Sequence, residues 1–277
     1  MAKPRKGNNR YIQIIEALFL KHYIEGDSEV LFSREEFVQM AESLSITAPK
    51  NLGDIVYSFR YRTELPESIK EKAPEGKHWV ILPHGRGQYR FSLVTVPKII
   101  PSAILAEIKI PEATPGIILM YSLDDEQALL AKLRYNRLID IFTGLTCYSL
   151  QNHLRTTVAN MGQVETDEIY IGVDKKGAHY VMPVQAKGGT DKIGVVQVEQ
   201  DIAMCAQKFP DLICRPIASQ FIDNELIALF EVELVPEGVR VLEEKHYRLV
   251  SPDEITPEEL EIYKKRSAID YRRVLDG

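Results

Sequence analysis

Cysteine is scarce in this sequence. Cys147, Cys205 and Cys214 are odd in number and far apart, and no CxxC pair occurs. A disulfide framework and a zinc ribbon are thereby excluded, and a reducing compartment, the cytoplasm, is expected. Long apolar runs are also missing: none approaches the roughly 20 residues that span a bilayer, so no membrane partner is expected. The basic start MAKPRKGNNR leads into no signal-peptide hydrophobic stretch. Nor is there an excess of positive charge. Lys and Arg number 34 against 40 Asp and Glu, a net charge of −6, which runs against the simplest expectation for a nucleic-acid binder. Internal repeats and low-complexity tracts are absent.

What is present is an ordinary globular composition, 45% hydrophobic and 27% charged, on a chain long enough for one large domain or two small ones. The charge is uneven. Residues 1–97 hold 14 Lys and Arg against 12 Asp and Glu, and the remainder holds 20 against 28. Acidity is therefore concentrated where a metal-binding enzyme would need carboxylates.

The pattern divides the chain near Pro97, in a proline-rich stretch that also holds Pro101, Pro111 and Pro115. Before it, three helices are expected. The first covers Arg10–His22. The second opens on a capping box at Ser33 and Glu36 and runs to about Leu44. The third follows Pro49 and buries Leu52, Ile55, Val56 and Phe59. Two strands, Trp79–Leu82 and Gln88–Val94, follow around the turn at Gly85, Arg86 and Gly87. Three helices and a hairpin are the order of a winged helix, an α+β domain whose third helix enters the major groove and whose wing touches backbone. Asn51, Ser58, Arg60, Arg62 and Arg86 are the corresponding DNA-binding candidates.

After the divide, Ile104–Ile110 reads as a strand and Asp124–Phe142 as a helix. Leu145–Val158 reads as another helix, carrying His153 and Arg155. From Gln163 the period falls to two. Gln163–Val173 and His179–Lys187 read as antiparallel strands about the turn Asp174-Lys175-Lys176-Gly177, and Gly188-Gly189-Thr190 ends the pattern. Ile193–Lys208 is expected to be helical, Ile213–Ile222 and Glu225–Leu234 extended, and Val239–Val250 a hairpin. Thr256 and Glu259 cap a last helix.

The hairpin carries the chemistry. Side chains alternate along a strand, so Asp167 is expected to share a face with Glu165 and Gln185 with Lys187, while Val184 and Ala186 enter the core. Pairing through the turn sets Asp167 opposite Gln185 and Glu165 opposite Lys187. Acids, an amide oxygen and an ammonium then share one patch. Asp167, the Gln185 side-chain oxygen and the Ala186 carbonyl could ligate Mg²⁺, with Lys187 orienting water or stabilising charge at phosphorus. Gln197 and Gln200, on the following helix, could support them.

At Asp167 and Gln185-Ala186-Lys187 the chain resembles the PD-(D/E)xK nuclease superfamily, which includes type II restriction enzymes and junction resolvases. The resemblance covers roughly Leu145–Leu234. Gln185 replaces the acid of the tripeptide, and Gln151 and Asn152 stand where the family often carries a glutamate on the preceding helix. The resemblance implies an α/β fold, a mixed sheet flanked by helices with a restriction-endonuclease-like core, in residues 98–277. It implies Mg²⁺-dependent cleavage of double-stranded DNA by a homodimer. A junction or repair nuclease, a winged-helix DNA-binding protein with a decayed nuclease domain, and an interaction module remain open beside it.

Overall fold

A computed structural model of the chain describes residues 6–61, 63–95, 98–122, 125–159, 161–188, 193–235 and 238–275. Arg62, Pro97, Gly189 and Thr190 lie outside the described residues.

The N-terminal unit is built from α1 (Lys6–His22), β1 (Glu29–Ser33), α2 (Glu36–Ser43), α3 (Gly53–Tyr61), the short α4 (Glu67–Lys70), β2 (His78–Pro83) and β3 (Gln88–Val94). The three expected helices and both strands are present. The strand β1 was not anticipated; it pairs antiparallel with β3, giving a sheet of order β1-β3-β2. The Ser33 capping box is half formed. The Glu36 carboxylate accepts from the Ser33 amide at 2.8 Å, but no side chain caps the α2 N-terminus. The helical stripe meets the sheet through Phe19, which stacks edge-on against Trp79 and Phe91 with ring centroids about 5 Å apart. Ile15, Phe37 and Ile55 are fully buried in the same core.

The C-terminal unit is a mixed α/β structure. Its elements are β4 (Lys98–Ile99), β5 (Glu107–Pro111), α5 (Gly116–Tyr121), α6 (Asp125–Tyr135), α7 (Leu138–Thr143), β6 (Thr146–Val158), β7 (Gly162–Val173), β8 (His179–Lys187), β9 (Ile193–Gly194), α8 (Val195–Lys208), β10 (Ile213–Cys214), β11 (Ile217–Phe221), β12 (Leu226–Val235), β13 (Gly238–Val250) and α9 (Pro257–Leu275). One large sheet runs in the order β5-β13-β12-β11-β8-β7-β6, with β10 beside β8. It is parallel at β8–β11, β8–β10 and β13–β5 and antiparallel elsewhere. Helices flank both faces. On one, α6 and α7 bury Leu129, Leu133 and Phe142 against Met182, Val184 and Ala186. On the other, α8 buries Val195 and Val198 against Ala218 and Phe230, and Met204 and Cys205 against Ile169 and Val181.

Three expectations are corrected. Leu145–Val158 is not a helix: β6 is a thirteen-residue strand paired with β7 at the sheet edge. Its Thr and Tyr residues suit a pleated surface better than a helix. The helix expected over Asp124–Phe142 is two helices, broken at Arg137, whose φ of 53° is left-handed. There the Asn136 carboxamide donates to Lys132 O, Thr114 Oγ1 and the Glu112 carboxylate, and accepts from the Ala113 amide, tying the end of α6 to the segment after β5. Val239–Val250 is not a hairpin but part of one long strand, β13, which follows β12 throughout with a bulge at Glu231/Val232. The C-terminal capping box is complete: Thr256 N meets Glu259 Oε2 at 3.0 Å, and Glu259 N meets Thr256 Oγ1 at 3.3 Å.

The two units are packed together. Val80 and Val94 of the N-terminal sheet join the apolar cluster of Val195 and Val198 on α8, and Arg90 on β3 lies 3.6 Å from Glu199 on α8. Among the described residues, no helix is long and apolar enough to cross a membrane.

Candidate active site

The turn at Asp174–Gly177 fixes the register of β7 and β8, and Glu168↔Val184 is the last bridged pair between them, although both strands continue. Asp167 and Gln185 follow directly, opposite one another, as the alternation predicts. Beyond that pair the side chains take over from the ladder. The Ala186 amide donates to Asp167 Oδ2 at 2.8 Å, and Gln185 Nε2 donates to the Glu165 carbonyl at 3.3 Å. Val184 and Ala186 are fully buried on the α6/α7 side, as expected.

The expected partnership of Asp167 and Glu165 is not formed. Val164 and Thr166 both reach α8, the first among Met204 and Cys205 and the second through a hydrogen bond to Asp201. Ile169 also faces α8, while Glu168 and Tyr170 face α6, where Arg134 pairs with Glu168 at 2.8 Å. Face alternation therefore slips by one residue at Asp167. Glu165 is left near solvent, 3.0 Å from Arg155.

In place of Glu165, α6 supplies Glu126. Lys187 Nζ lies 3.5 Å from Glu126 Oε2 and 3.6 Å from Asp167 Oδ2, with the lysine side chain only 16% exposed. Burial works against the charge on Lys187, but Asp167 and Glu126 outweigh it and hold its pKa above the ordinary lysine value. Burial raises the pKa of Glu126, the negative charge of Asp167 raises it further, and Lys187 pulls the other way. Two carboxylates thus crowd one ammonium, and their oxygens could hold a cation. A carboxylate oxygen from each, and a ring nitrogen of His153, all lie within 4.8 Å of one another.

Gln185 is held on the α8 side. Its Nε2 donates to Asp201 Oδ2 at 2.9 Å, and its Oε1 accepts from Gln197 Nε2 at 3.2 Å. Gln197 is fixed in turn by the Gly194 amide. Asp201 is enclosed, and burial pushes its pKa up to about 7 against the hydrogen bonds from Thr166 and Gln185. Gln200 is buried beside this network and also lines the cleft. Gln185 thus has the Asp201 carboxylate directly behind it.

These groups open into a cleft of about 960 Å³ between the two units. Its floor holds Glu126, Glu165, Asp167, Gln185, Lys187, Gln197 and Gln200; Arg34, Asn51, Arg60 and Arg86 come from the opposite wall, with Arg155 on the near side. Arg34, Arg86 and Arg155 are exposed. Asn51 and Arg60 also have structural duties: Asn51 bonds Asp54 and the Gly53 amide at the start of α3, and Arg60 Nε donates to Ile81 O while its guanidinium lies over Tyr89. Ser58 contacts Thr63 and is not part of the cleft wall. Arg62 lies outside the described residues.

Sequence reasoning missed Glu126 and His153. Glu126 sits in an acidic stretch with no local motif, and His153 was assigned to a helix that is a strand. Comparison with family models, with curated proteins and with solved structures gave no match.

Proposed function

We propose that this chain is a metal-dependent endonuclease for double-stranded DNA, with the architecture of the PD-(D/E)xK superfamily and an N-terminal winged-helix-like domain. The observation that carries the reading is the meeting of Glu126, Asp167 and Lys187 at the floor of a cleft whose opposite wall presents arginines. The helix–strand–strand–strand–helix–strand order of α6/α7, β6, β7, β8, α8 and β11 supports it. So does the N-terminal sheet order β1-β3-β2, with β2 and β3 forming the wing.

In this reading Arg34, Arg86 and Arg155 neutralise backbone phosphates and draw the duplex into the cleft despite the negative net charge of the whole chain. Glu126 and Asp167 would hold Mg²⁺, which when bound supplies polarisation of the scissile phosphate and a water of lowered pKa. Asp167 is kept in place by the Ala186 amide. Lys187, held protonated by its two acids, donates to the non-bridging oxygens as charge builds on phosphorus. Gln185 is fixed by Asp201 and Gln197 and presents a neutral carboxamide where the family often has an acid. Cutting both strands calls for two such sites, and a second copy of the chain would provide the other.

The test is incubation of the full chain with supercoiled plasmid and Mg²⁺. The wild type should give discrete linear products, and Lys187→Ala should lose roughly 100-fold or more in rate while still retarding DNA in a gel. DNA binding without cutting by the wild type would favour a non-catalytic DNA-binding protein instead.

A further inference from the structure

We propose that His153 is a nitrogen ligand in the cation site of Glu126 and Asp167, and that this site therefore prefers a later first-row transition ion such as Co²⁺ to Mg²⁺. The inference rests on the reading of that cluster as a metal site, and it changes which ion the site takes.

The strand β6 delivers the residue. Asn152↔Glu168 and Leu154↔Thr166 are paired across β6 and β7, which brings His153 opposite Asp167, where neither residue is bridged. The backbone of His153 is left-handed, with φ of 47°, at the point where β7 also slips its alternation. Both strands thus change pleat together and turn their side chains toward the start of α6, where Glu126 lies. The result is the three-donor set of His153, Glu126 and Asp167 within 4.8 Å. That spacing is what one ion requires, since donors about 2.1–2.4 Å from a shared cation stand at most about twice that distance apart. The imidazole has no other work: among the described residues its ring makes no hydrogen bond or ion pair, although it is exposed. Glu165, two residues before Asp167, is turned to Arg155.

Donor chemistry sets the preference. Mg²⁺ favours oxygen and sheds water reluctantly, so an imidazole adds little to its binding. Imidazole nitrogen suits Co²⁺ and its neighbours, and affinity for them rises along the first row. The carboxamide of Gln185, bonded to Asp201 and Gln197, leaves the site with one negative ligand fewer than a full acidic set and makes the neutral nitrogen the distinguishing donor.

The experiment uses the full chain and metal alone. Co²⁺ and Mg²⁺ are titrated calorimetrically into wild type, His153→Asn and Asp167→Asn, and each protein loaded with Mn²⁺ is examined by pulsed electron paramagnetic resonance for nitrogen modulation. Asparagine tolerates the left-handed backbone and lacks the ring. His153→Asn should weaken Co²⁺ roughly tenfold or more, change Mg²⁺ by less than about threefold, and abolish the nitrogen modulation. Asp167→Asn should weaken both ions, which places the signal at this site and not at another histidine. Unchanged Co²⁺ affinity and unchanged nitrogen modulation in His153→Asn would overturn the proposal. Plasmid cleavage separates it from the nuclease reading: nitrogen ligation without any cutting leaves His153 a ligand and refutes the nuclease, whereas Mg²⁺-dependent cutting with no nitrogen signal does the reverse.

Discussion

The two units spend their buried volume differently. Among the described residues, the side chains of polar or charged residues that are buried as a whole lie beyond residue 113, and the N-terminal core of Phe19, Phe37, Ile55, Trp79 and Phe91 is apolar apart from the buried indole N–H of Trp79. In the C-terminal unit, Thr166, Asp167, Gln185, Gln200 and Asp201 are enclosed together at one end of the sheet, on β7, β8 and α8. Enclosing such groups costs stability unless each is bonded and each charge balanced. The hydrogen bonds linking Thr166, Asp201, Gln185 and Gln197 meet part of that cost, and Glu126 beside Asp167 leaves a residual charge conflict. One region is arranged to hold itself together; the other encloses a polar, charge-crowded cluster at the expense of stability.

That contrast can be broken by substitution. The largest effect is expected in the N-terminal core. Phe91→Ala removes a fully buried ring from the centre of the aromatic cluster and should cost about 3–5 kcal/mol in denaturant unfolding. A loss under about 1 kcal/mol would mean that this core is not the tightly packed element described. A smaller effect is expected at the cleft wall. Arg34→Ala and Arg86→Ala remove exposed cations and should leave the melting temperature unchanged, while each lowers the slope of log DNA affinity against log salt by about one. An unchanged slope in both variants would show that this wall does not meet phosphate.

Much of the architecture was legible in the sequence, and the exceptions have physical causes. The β7–β8 hairpin was visible because its period is two and its turn chemistry strong. Asp167 and Lys187 came with it, since register brings residues of one hairpin together. The strand β6 misled because Cys147, Leu150, Leu154 and Val158 fall at near-helical spacing. An edge strand with an exposed face need not alternate strictly, and Tyr148 and Leu150 are exposed there. The hairpin expected over Val239–Val250 is instead part of the continuous strand β13, whose partly exposed polar run Glu243-Glu244-Lys245 stays paired with β12 beside the bulge at Glu231/Val232. Glu126 could not be located because it reaches Asp167 and Lys187 only through the packing of α6 on the sheet, and its neighbours are equally acidic. The slip of alternation at Asp167 was likewise invisible, being a product of β6 and β7 bending together.

Glu126 therefore gives the sharpest test, because the sequence pattern did not select it and the folded chain did. The measurement is single-turnover cleavage of a duplex by Glu126→Gln with Mg²⁺ and with Mn²⁺, recorded beside its thermal midpoint. With the carboxylate replaced by an isosteric amide, cutting should fall by about two orders of magnitude or more, while the midpoint stays level or rises as the conflict with Asp167 is relieved. Wild-type cutting by this variant would contradict the assignment of the site.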